Sequence, residues 1–571
     1  TMNSIALAGI ILFFCFLSAV IYLAAAGVGK GLRIFFLCLG LITLMGLFTG
    51  TEQLHRLSAG LLWHEHELLH SENSVYANIS VIQRDNQKTF LANGLPYAFT
   101  PKPTLRIEEK AHFPLLFHVS PKKILLLGGG PGGMLGEILK HPVEEVDYAE
   151  MDPLIIATFE RYGSPLTRME LDHEAVNIHH MEGRLYLKQT EKKYDLILVN
   201  LPPPSTLHLN RYYTAEFFRL VSNHLKTNGL FSISLPGSET LLIDELKALN
   251  QTVYATLASV FQNVEILVGD ENIFLASQEQ PHPSHNIEAL IARLTAREIS
   301  DTVMTPPHLR YRLDPLRYGQ LAHEIKKGET KETNHDQYPT AVLETMVLHN
   351  MATSPLLSGF LMKMKKNAFL LSLFAFFSLL LLFSFARGKT SYVTTAVLTT
   401  GFSGMFMNII CIMAFQIFYG HVYHYLGLLI ALFMLGLALG SLYAIKTQPR
   451  LVPAEAAILV HILLVYAFFS IEPESSVLAM TLLFTFSFLS GGLTGAEFPI
   501  AVSHISEEKT SAGTGSRLYA VDLVGAFAAA LITPVILLPI AGVKNSLLLL
   551  FLIKTASLVL VSHGVRKKMK T

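Results

Sequence analysis

The sequence predicts a polytopic α-helical membrane protein with a water-soluble α/β domain inserted between its second and third membrane spans. Three observations lead to this fold class. Hydrophobic residues make up 51% of the 571 residues, and they form apolar runs long enough to cross about 30 Å of hydrocarbon. Between the second and third runs lies a polar stretch from about Thr51 to Lys366. That stretch contains alternating strand and helix patterns, which are typical of an α/β domain.

About nine spans are expected. The first two, residues 4–26 and 32–49, open the chain; the first lacks a basic flank and is followed directly by the second, which argues against a signal peptide. The other seven are residues 368–386, 392–418, 422–445, 454–471, 477–500, 518–540 and 546–561. The predicted domains are two transmembrane helices (1–50), a juxtamembrane helix or linker (51–73), a small β unit (74–120), the α/β domain (121–352) and a seven-span domain (353–571).

Basic residues near the membrane ends predict which side the α/β domain faces, because short cytoplasmic loops are enriched in Lys and Arg. The side with the C-terminus carries twelve such residues: Lys30, Arg33, Arg387, Lys389, Lys446, Arg450, Lys509, Arg517, Arg566, Lys567, Lys568 and Lys570. The side with the α/β domain carries five: Arg56, Lys363, Lys365, Lys366 and Lys544. We therefore expect a bacterial inner membrane protein whose α/β domain lies on the periplasmic side.

The polar stretch predicts a small antiparallel β unit followed by a parallel sheet. Residues 74–99 alternate polar and apolar side chains and contain the turn signal Asn93-Gly94. Further on, predicted strands 124–127, 146–149, 194–199 and 229–234 alternate with predicted helices 134–140, 153–162 and 215–225. This order is typical of a Rossmann-like, methyltransferase-type domain.

One glycine-rich turn predicts a nucleotide-binding crevice in this domain. Gly128, Gly129, Gly130 and Gly132 follow the first buried strand, where they allow a tight turn and the close approach of a ligand to a helix N-terminus. Glu150 ends the next strand, where a carboxylate can accept hydrogen bonds from ribose hydroxyls. The alternative is that these glycines only allow close packing of a helix on the sheet.

Motifs along the domain resemble the membrane-embedded members of the spermidine synthase (polyamine aminopropyltransferase) family. They include Ser74-Val-Tyr76, Lys123-Ile-Leu-Leu-Leu-Gly-Gly-Gly, Glu150-Met-Asp152-Pro, Glu182-Gly-Arg184, Asn210-Arg-Tyr-Tyr-Thr-Ala-Glu-Phe217 and Asn334-His-Asp336-Gln-Tyr-Pro339. The resemblance implies a site for an S-adenosylmethionine-type nucleoside formed by the glycines, Glu150, Asp152 and Glu182.

The same resemblance exposes departures at the reactive half of the site. The family has Asp-x-x-Asp-Pro after the fourth strand, where this chain has Asn200-Leu-Pro-Pro203-Pro. The family also has an acid at the position of Pro131 and a glutamine at that of Ala77. Neither Asn200 nor Pro203 can take a proton from an amine. We therefore expect a non-catalytic binding or scaffold subunit of a larger membrane assembly, or a homodimer. The alternatives are an active aminopropyltransferase with Glu182 or Asp195 as base, and a transporter of a cationic solute.

Two further sets of residues could carry chemistry. His66, Glu67 and His70 match H-E-x-x-H, which on a helix would place two histidines on one zinc-binding face. The alternative is a juxtamembrane helix with polar histidines. Within the spans, Glu497, Asp522 and Lys554 are candidates for a proton or cation path. Glu497 and Asp522 could instead meet the interface or pair with Arg517.

Composition excludes other classes. The 44 basic residues balance the 44 acidic ones, so no bulk field favours nucleic acid. The three cysteines, Cys15, Cys38 and Cys411, lie in separate apolar segments and form neither a disulfide framework nor a cysteine zinc site.

His112, three residues after Glu109, either borders the predicted nucleotide site or connects the β unit to the parallel sheet.

Overall fold

The structure, a computed structural model, describes residues 4–27, 29–49, 51–63, 65–101, 104–278, 286–299, 303–327, 332–366, 391–420, 423–471, 477–506 and 511–570. The chain divides into two units. The first comprises Thr1–Gly183 and Glu288–Leu309, and the second comprises Arg184–Ile287 and Arg310–Thr571.

The first unit begins with three helices, α1 (Ser4–Ala25), α2 (Lys30–Thr49) and α3 (Thr51–Leu62). The predicted runs 4–26 and 32–49 correspond to α1 and α2. The two helices pack through aromatic rings: those of Phe16 and Phe36 lie 6.3 Å apart.

A four-stranded antiparallel sheet follows, in the order β1-β2-β3-β4. Its strands are β1 (Glu67–Asn73), β2 (Asn78–Arg84), β3 (Gln87–Ala92) and β4 (Leu95–Thr100). Asn93 and Gly94 form the predicted two-residue turn between β3 and β4, and both have positive φ, as a type I′ turn requires. The β unit starts earlier than predicted, because residues 67–73 pair with β2 instead of continuing a juxtamembrane helix or linker.

Three parallel strands form the α/β part of the first unit: β5 (Lys123–Leu127), β6 (Glu145–Ala149) and β7 (Val176–His179). All of β5 after its first residue is buried, which explains its continuous apolar sequence. The helices around these strands are α4 (Thr104–Phe117), α5 (Leu135–Leu139), α6 (Pro153–Tyr162) and α7 (Pro165–Leu171), and a π-helical turn, Gly130–Met134, precedes α5.

The second unit begins within α8 (Gly183–Gln189), whose first residue belongs to the first unit. Its next elements are β8 (Tyr194–Val199), α9 (Leu207–Asn210), α10 (Ala215–His224), β9 (Leu225–Pro236), α11 (Asp244–Ala258), β10 (Asn263–Leu267) and β11 (Glu271–Ser277). Strands β8 and β9 are parallel, whereas β11 runs antiparallel to both β9 and β10. The remaining helices before the apolar C-terminal part are α12 (Ile287–Ala296, mostly in the first unit), α13 (Pro306–Arg312, in the first unit up to Leu309), α14 (Pro315–Lys326), α15 (Thr340–Thr353) and α16 (Pro355–Lys366).

Long apolar helices make up the C-terminal part of the second unit. They are α17 (Ser391–Tyr419), α18 (Tyr423–Thr447), α19 (Leu451–Ile471), α20 (Val477–Ser506), α21 (Ser511–Ile532) and α22 (Leu538–Lys570), with a π-helical turn, Thr533–Leu537, before α22. Across the described residues, six helical runs are long and apolar enough to cross a membrane, which is compatible with a membrane protein.

The count of nine spans is not confirmed. The six runs comprise Leu7–Ala25 in α1 and five runs in the C-terminal part, and α2 is not among them. The last run, Gly515–Lys567, covers both predicted spans 518–540 and 546–561, and Gly542 interrupts it with φ 71° and ψ 178°. The predicted span 368–386 lies outside the described residues.

Candidate functional site

The glycine-rich turn begins where β5 ends. Gly128 and Gly129 have φ of 73° and 61°, and Gly133 has φ of 104°, all in the left-handed region that favours glycine. The backbone N–H of Gly128 donates to the carbonyl of Ala149 at 3.1 Å. The turn therefore lies beside the carboxyl end of β6.

Glycine occupies two other positions of the motif, 130 and 132, for reasons that differ from each other. A Cβ on Gly130 would lie 2.7 Å from the ring of Tyr148, so packing within the protein requires glycine there. A Cβ on Gly132 would meet only the Cβ of Ala98, at an ordinary 3.4 Å. Gly132 is thus the glycine that the packing does not require, which suits a position approached by a ligand. Pro131, between them, is buried in the π-helical turn.

Glu150 follows β6 and is 9% exposed. Its Oε2 accepts a hydrogen bond from the Tyr148 hydroxyl at 2.7 Å, and its Oε1 accepts one from the Asp152 N–H at 3.3 Å. Burial raises the pKa of the Glu150 carboxyl, although these hydrogen bonds oppose the shift. A carboxylate has further lone pairs, so Glu150 keeps the capacity to accept hydrogen bonds from a diol.

Asp152 has a structural role in the contacts observed. Its Oδ1 accepts a hydrogen bond from the Leu154 N–H at 3.0 Å and thereby caps helix α6. Its Oδ2 accepts one from the Ser74 hydroxyl at 2.6 Å. These contacts give Ser74 and Asp152, two residues of the resembled motifs, structural roles that need no ligand. The role of Asp152 in binding a cofactor stays a prediction.

Glu182 lies at the same edge of the parallel strands as Glu150. Ala149 pairs with His179 across β6 and β7, and the Glu150 N–H donates to the His179 carbonyl at 3.0 Å. A Cβ on the next residue, Gly183, would lie 2.9 Å from Leu127 at the end of β5. Glu182 is 6% exposed. The fold thus gathers the glycine turn, Glu150 and Glu182 at the carboxyl edge, where parallel α/β sheets bind ligands.

The second unit contains the residues in which the chain departs from the resembled family. Asn200 follows β8, and the proline-rich segment after it is held by the buried Tyr213, whose hydroxyl donates to the Pro202 carbonyl at 3.1 Å. The Ser205 N–H donates to the Pro203 carbonyl at 2.6 Å. The segment from Leu201 to Pro204 contributes no ionisable side chain at the end of this strand.

Asp195 does not suit the alternative role of general base. It is the second residue of β8, so about five residues separate it from Asn200, a distance of roughly 16 Å along an extended strand. Its Oδ2 also accepts a hydrogen bond from Lys226 at 2.9 Å. The position of Asp195 at the opposite end of the strand argues against that part of the enzyme alternative.

The predicted zinc helix does not form. Glu67 begins strand β1 and His70 lies within it, so the helical turn that would bring His66 close to His70 is absent, and four residues of extended chain span roughly 13 Å. His70 instead lies 3.4 Å from Glu72. Among the described residues, no three His, Cys, Asp or Glu side chains are grouped to hold a metal.

His112 belongs to a buried hydrogen-bond chain in the first unit. Arg297 donates to Nδ1 of His141, the two histidines are joined at 2.7 Å, and Nε2 of His112 lies 2.9 Å from Glu137. Burial, together with the nearby His112 and Arg297, lowers the pKa of His141 to about 2. Both histidines can therefore be neutral, each donating one proton along the chain towards Glu137. The contact of His112 with Glu137 joins α4 to α5 instead of the β unit to the sheet.

The apolar helices bring together two of the three intramembrane candidates. Lys554 and Glu497 are at most 1% exposed and lie 3.9 Å apart, with Glu455 2.8 Å from Lys554. The interpretation that Glu497 reaches the interface or pairs with Arg517 is therefore wrong. Asp522 lies elsewhere, with its backbone against Gly401. The sequence analysis missed Glu455 because it lies near the start of its helix.

The sequence analysis also missed a cavity in the second unit, of about 590 Å³. Its lining includes Arg184, Lys188, Glu216, His335, Gly542 and Lys544. His335 Nδ1 lies 2.8 Å from Glu216, and this hydrogen bond raises the pKa of His335. The cavity therefore presents a cluster of ionisable groups beside the break at Gly542.

Parts of this chain are similar to known proteins. A family model described as Spermine/spermidine synthase domain matches residues 107–268. A polyamine aminopropyltransferase from Oceanobacillus iheyensis is 29% identical over 249 residues, which cover 42% of this chain and 48% of that protein. One from Methanocaldococcus jannaschii is 32% identical over 166 residues, covering 29% and 56%. The chain spans about half the length of these curated relatives. The crystal structure of spermidine synthase from Thermotoga maritima is 21% identical with a TM-score of 0.39, covering 46% of this chain and 88% of that one.

The fold and the edge site define a Rossmann-like α/β domain that accompanies several long apolar helices. The family match specifies which kind of Rossmann-like domain this is. The chain contains a spermidine-synthase-like domain.

Proposed function

We propose that this chain is a membrane protein whose spermidine-synthase-like domain binds an S-adenosylmethionine-type nucleoside without transferring an aminopropyl group. In this proposal it serves as a binding or scaffold subunit of a larger membrane assembly. The observation that carries the proposal is the segment Asn200-Leu-Pro-Pro203-Pro, which stands where the resembled family has its catalytic acids.

Nucleoside binding is supported by the edge site of the first unit. Glu150 and Glu182 follow adjacent strands. Packing within the protein does not require glycine at position 132, so the absence of a side chain there suits the approach of a ligand. Such an edge provides carboxylates for ribose hydroxyls and backbone N–H groups at a helix start.

Loss of transfer is supported by chemistry. The attacking amine must lose a proton, and a positioned base contributes about 10²–10⁴ in rate. Asn200 is not a base, and neither Pro203 nor Pro131 can bind the cationic amine of donor or acceptor. The active-enzyme alternative then relies on Glu182, which is buried beside the glycine turn.

Calorimetry on the purified full-length chain tests nucleoside binding. We expect 5′-methylthioadenosine to bind, and Glu150→Gln to weaken binding about 10–100-fold, the cost of losing a charged hydrogen-bond acceptor. Glu160→Gln, which alters an exposed glutamate on α6, is the matched control and is expected to leave the affinity unchanged. Equal affinity in wild type and Glu150→Gln would contradict the assignment of the site.

Incubation of the same protein with decarboxylated S-adenosylmethionine and labelled putrescine tests the absence of transfer. We expect no spermidine above the Glu150→Gln background. Product that requires Glu182, shown by its loss in Glu182→Gln, would establish the active-enzyme alternative instead.

The proposal also places the α/β domain on the periplasmic side of a bacterial inner membrane. A cysteine introduced as Ser205→Cys, in a chain with Cys15, Cys38 and Cys411 replaced by serine, should react with an impermeant maleimide in intact cells. Labelling only after lysis would place the domain in the cytoplasm, where the donor is made, and would favour the enzyme alternative. The transporter alternative is favoured only by the buried charges of the apolar helices.

A further inference from the structure

We propose that Glu455, Glu497 and Lys554 form a proton-binding site inside the bundle of apolar helices. The three residues come from three helices, α19, α20 and α22. Their exposed fractions are 0%, 1% and 0%. Ionisable groups are rarely buried to this extent among apolar helices unless they are paired.

The three side chains form one connected network with neighbouring hydroxyls. Lys554 Nζ lies 2.8 Å from Glu455 Oε2 and 3.9 Å from Glu497 Oε2. It also donates to the Thr400 hydroxyl at 2.7 Å. Because Lys554 occupies the Thr400 oxygen as acceptor, the Thr400 proton is directed to Glu497 Oε2, at 2.6 Å.

The charges of this network do not balance when every group is ionised. Two carboxylates face one ammonium, which leaves one negative charge with no compensating cation among the described residues. An uncompensated charge in a buried site is strongly destabilising. One proton bound by the pair of carboxyl groups restores neutrality.

The hydrogen bonds of the two carboxyl groups also indicate that one of them is protonated. Glu455 Oε1 accepts from the Ser557 hydroxyl at 3.0 Å, and Glu497 Oε2 accepts from Thr400. The other oxygen of each carboxyl, Glu455 Oε2 and Glu497 Oε1, is buried and accepts no aligned hydrogen bond. Both carboxyl groups lie within 4 Å of the same Lys554 Nζ. A carboxyl oxygen that accepts no hydrogen bond is a position where one of the two groups can carry the proton.

Other polar groups on the surrounding helices do not supply the missing charge. Thr399 on α17 donates to Ser557 at 3.1 Å and is neutral. His461 on α19 lies 2.7 Å from Ser490 on α20. Asp522 on α21, against Gly401, would add a negative charge. In the described part of the chain, neither His461 nor Asp522 forms an ion pair with the three residues.

Infrared spectroscopy of the full-length chain in lipid nanodiscs tests the proposal at neutral pH. We expect the carbonyl band of one protonated carboxylic acid to be present in the wild type and absent from both Glu497→Gln and Glu455→Gln, because each variant leaves one glutamate with one lysine. Lys554→Met should gain a second protonated carboxyl, since two glutamates then share the site without a cation. Protonated carboxyls elsewhere in the chain cancel in the difference spectra.

Glu160→Gln is the control and should leave the band unchanged. Each variant is compared after its elution from size-exclusion chromatography matches that of the wild type. A wild-type spectrum without the band, or a band that persists in both glutamine variants, would overturn the proposal. If one glutamine variant fails to fold, the other carries the test. If both fail, the difference between Lys554→Met and the wild type carries it: a stronger carbonyl band supports the site, and an unchanged band overturns it.

Discussion

Replacing Arg184 with methionine is expected to lower the free energy of unfolding by about 3–5 kcal/mol, the usual cost of leaving one partner of a buried ion pair without the other. Arg184 donates to both carboxylate oxygens of Asp336, at 2.8 and 2.5 Å, and both residues are buried. The Thr214 hydroxyl also donates to Asp336, at 2.9 Å. The measurement is thermal unfolding of the detergent-solubilised protein.

The pH dependence of this loss identifies its cause. Burial by itself would raise the pKa of Asp336, but Arg184 and Thr214 hold it below the ordinary value. In the wild type the carboxylate therefore stabilises the fold above its unfolded pKa of about 3.9, and this contribution is lost as the pH falls through the lower, folded value. In Arg184→Met the carboxyl loses its ion-pair partner and keeps only the smaller effects of Arg211 and Thr214, so it takes up a proton more readily. The difference in stability between the variant and the wild type should therefore narrow as the pH falls.

Two variants serve as controls for Arg184→Met. Arg219→Met, at an exposed position on α10, should change stability by no more than about 0.5 kcal/mol. The double variant Arg184→Met/Asp336→Leu should recover much of the loss, because it removes both charges. A double variant less stable than Arg184→Met would show that the ion pair is not what the single substitution disrupts.

Replacing Gly440 with leucine is expected to separate two apolar helices and cost at least about 3 kcal/mol, at the upper end of the usual cost of overpacking. A Cβ on Gly440 of α18 would lie only 2.0 Å from the backbone oxygen of Gly492 on α20. Gly436 on the same helix would similarly meet the Phe488 carbonyl, at 2.2 Å. Because the obstacles are backbone atoms, no rotation of a side chain can relieve the contact.

Gly427→Leu provides the matched control, since it makes the same change on the same helix with nothing within 4 Å of the new Cβ. We expect Gly440→Leu to aggregate or unfold at a lower temperature and Gly427→Leu to behave as the wild type. Equal losses in the two variants would show that the close helix contact is not what Gly440→Leu disrupts.

Local patterns made the α/β domain predictable. Strand β8 and helix α6 form over the residues predicted for them, because burial pattern and capping signals are encoded in neighbouring residues. The cap by Asp152 could also have been predicted, since Asp-Pro before an apolar helical pattern is a common helix start. The resemblance instead drew attention to Asp152 as a ligand group.

Partners distant in sequence account for the errors. The spacing of His66 and His70 suits a helix, yet residues 67–73 form a strand because they pair with β2. Asp195 is an exception, because the predicted strand 194–199 already placed it at the end of β8 opposite Asn200. Glu455 gave no local signal, since only the packing of three helices brings it to Lys554.

The sequence by itself determined the alternation of strand and helix, the glycine turn, the apolar helices and the absence of acids from Leu201 to Pro204, because each is a property of adjacent residues. Only the tertiary structure decided which glycine the packing leaves free, which carboxylates cap helices and which charges meet among the apolar helices. Those outcomes depend on contacts between segments far apart in the chain, where burial and distance set the energy of a charged or polar group.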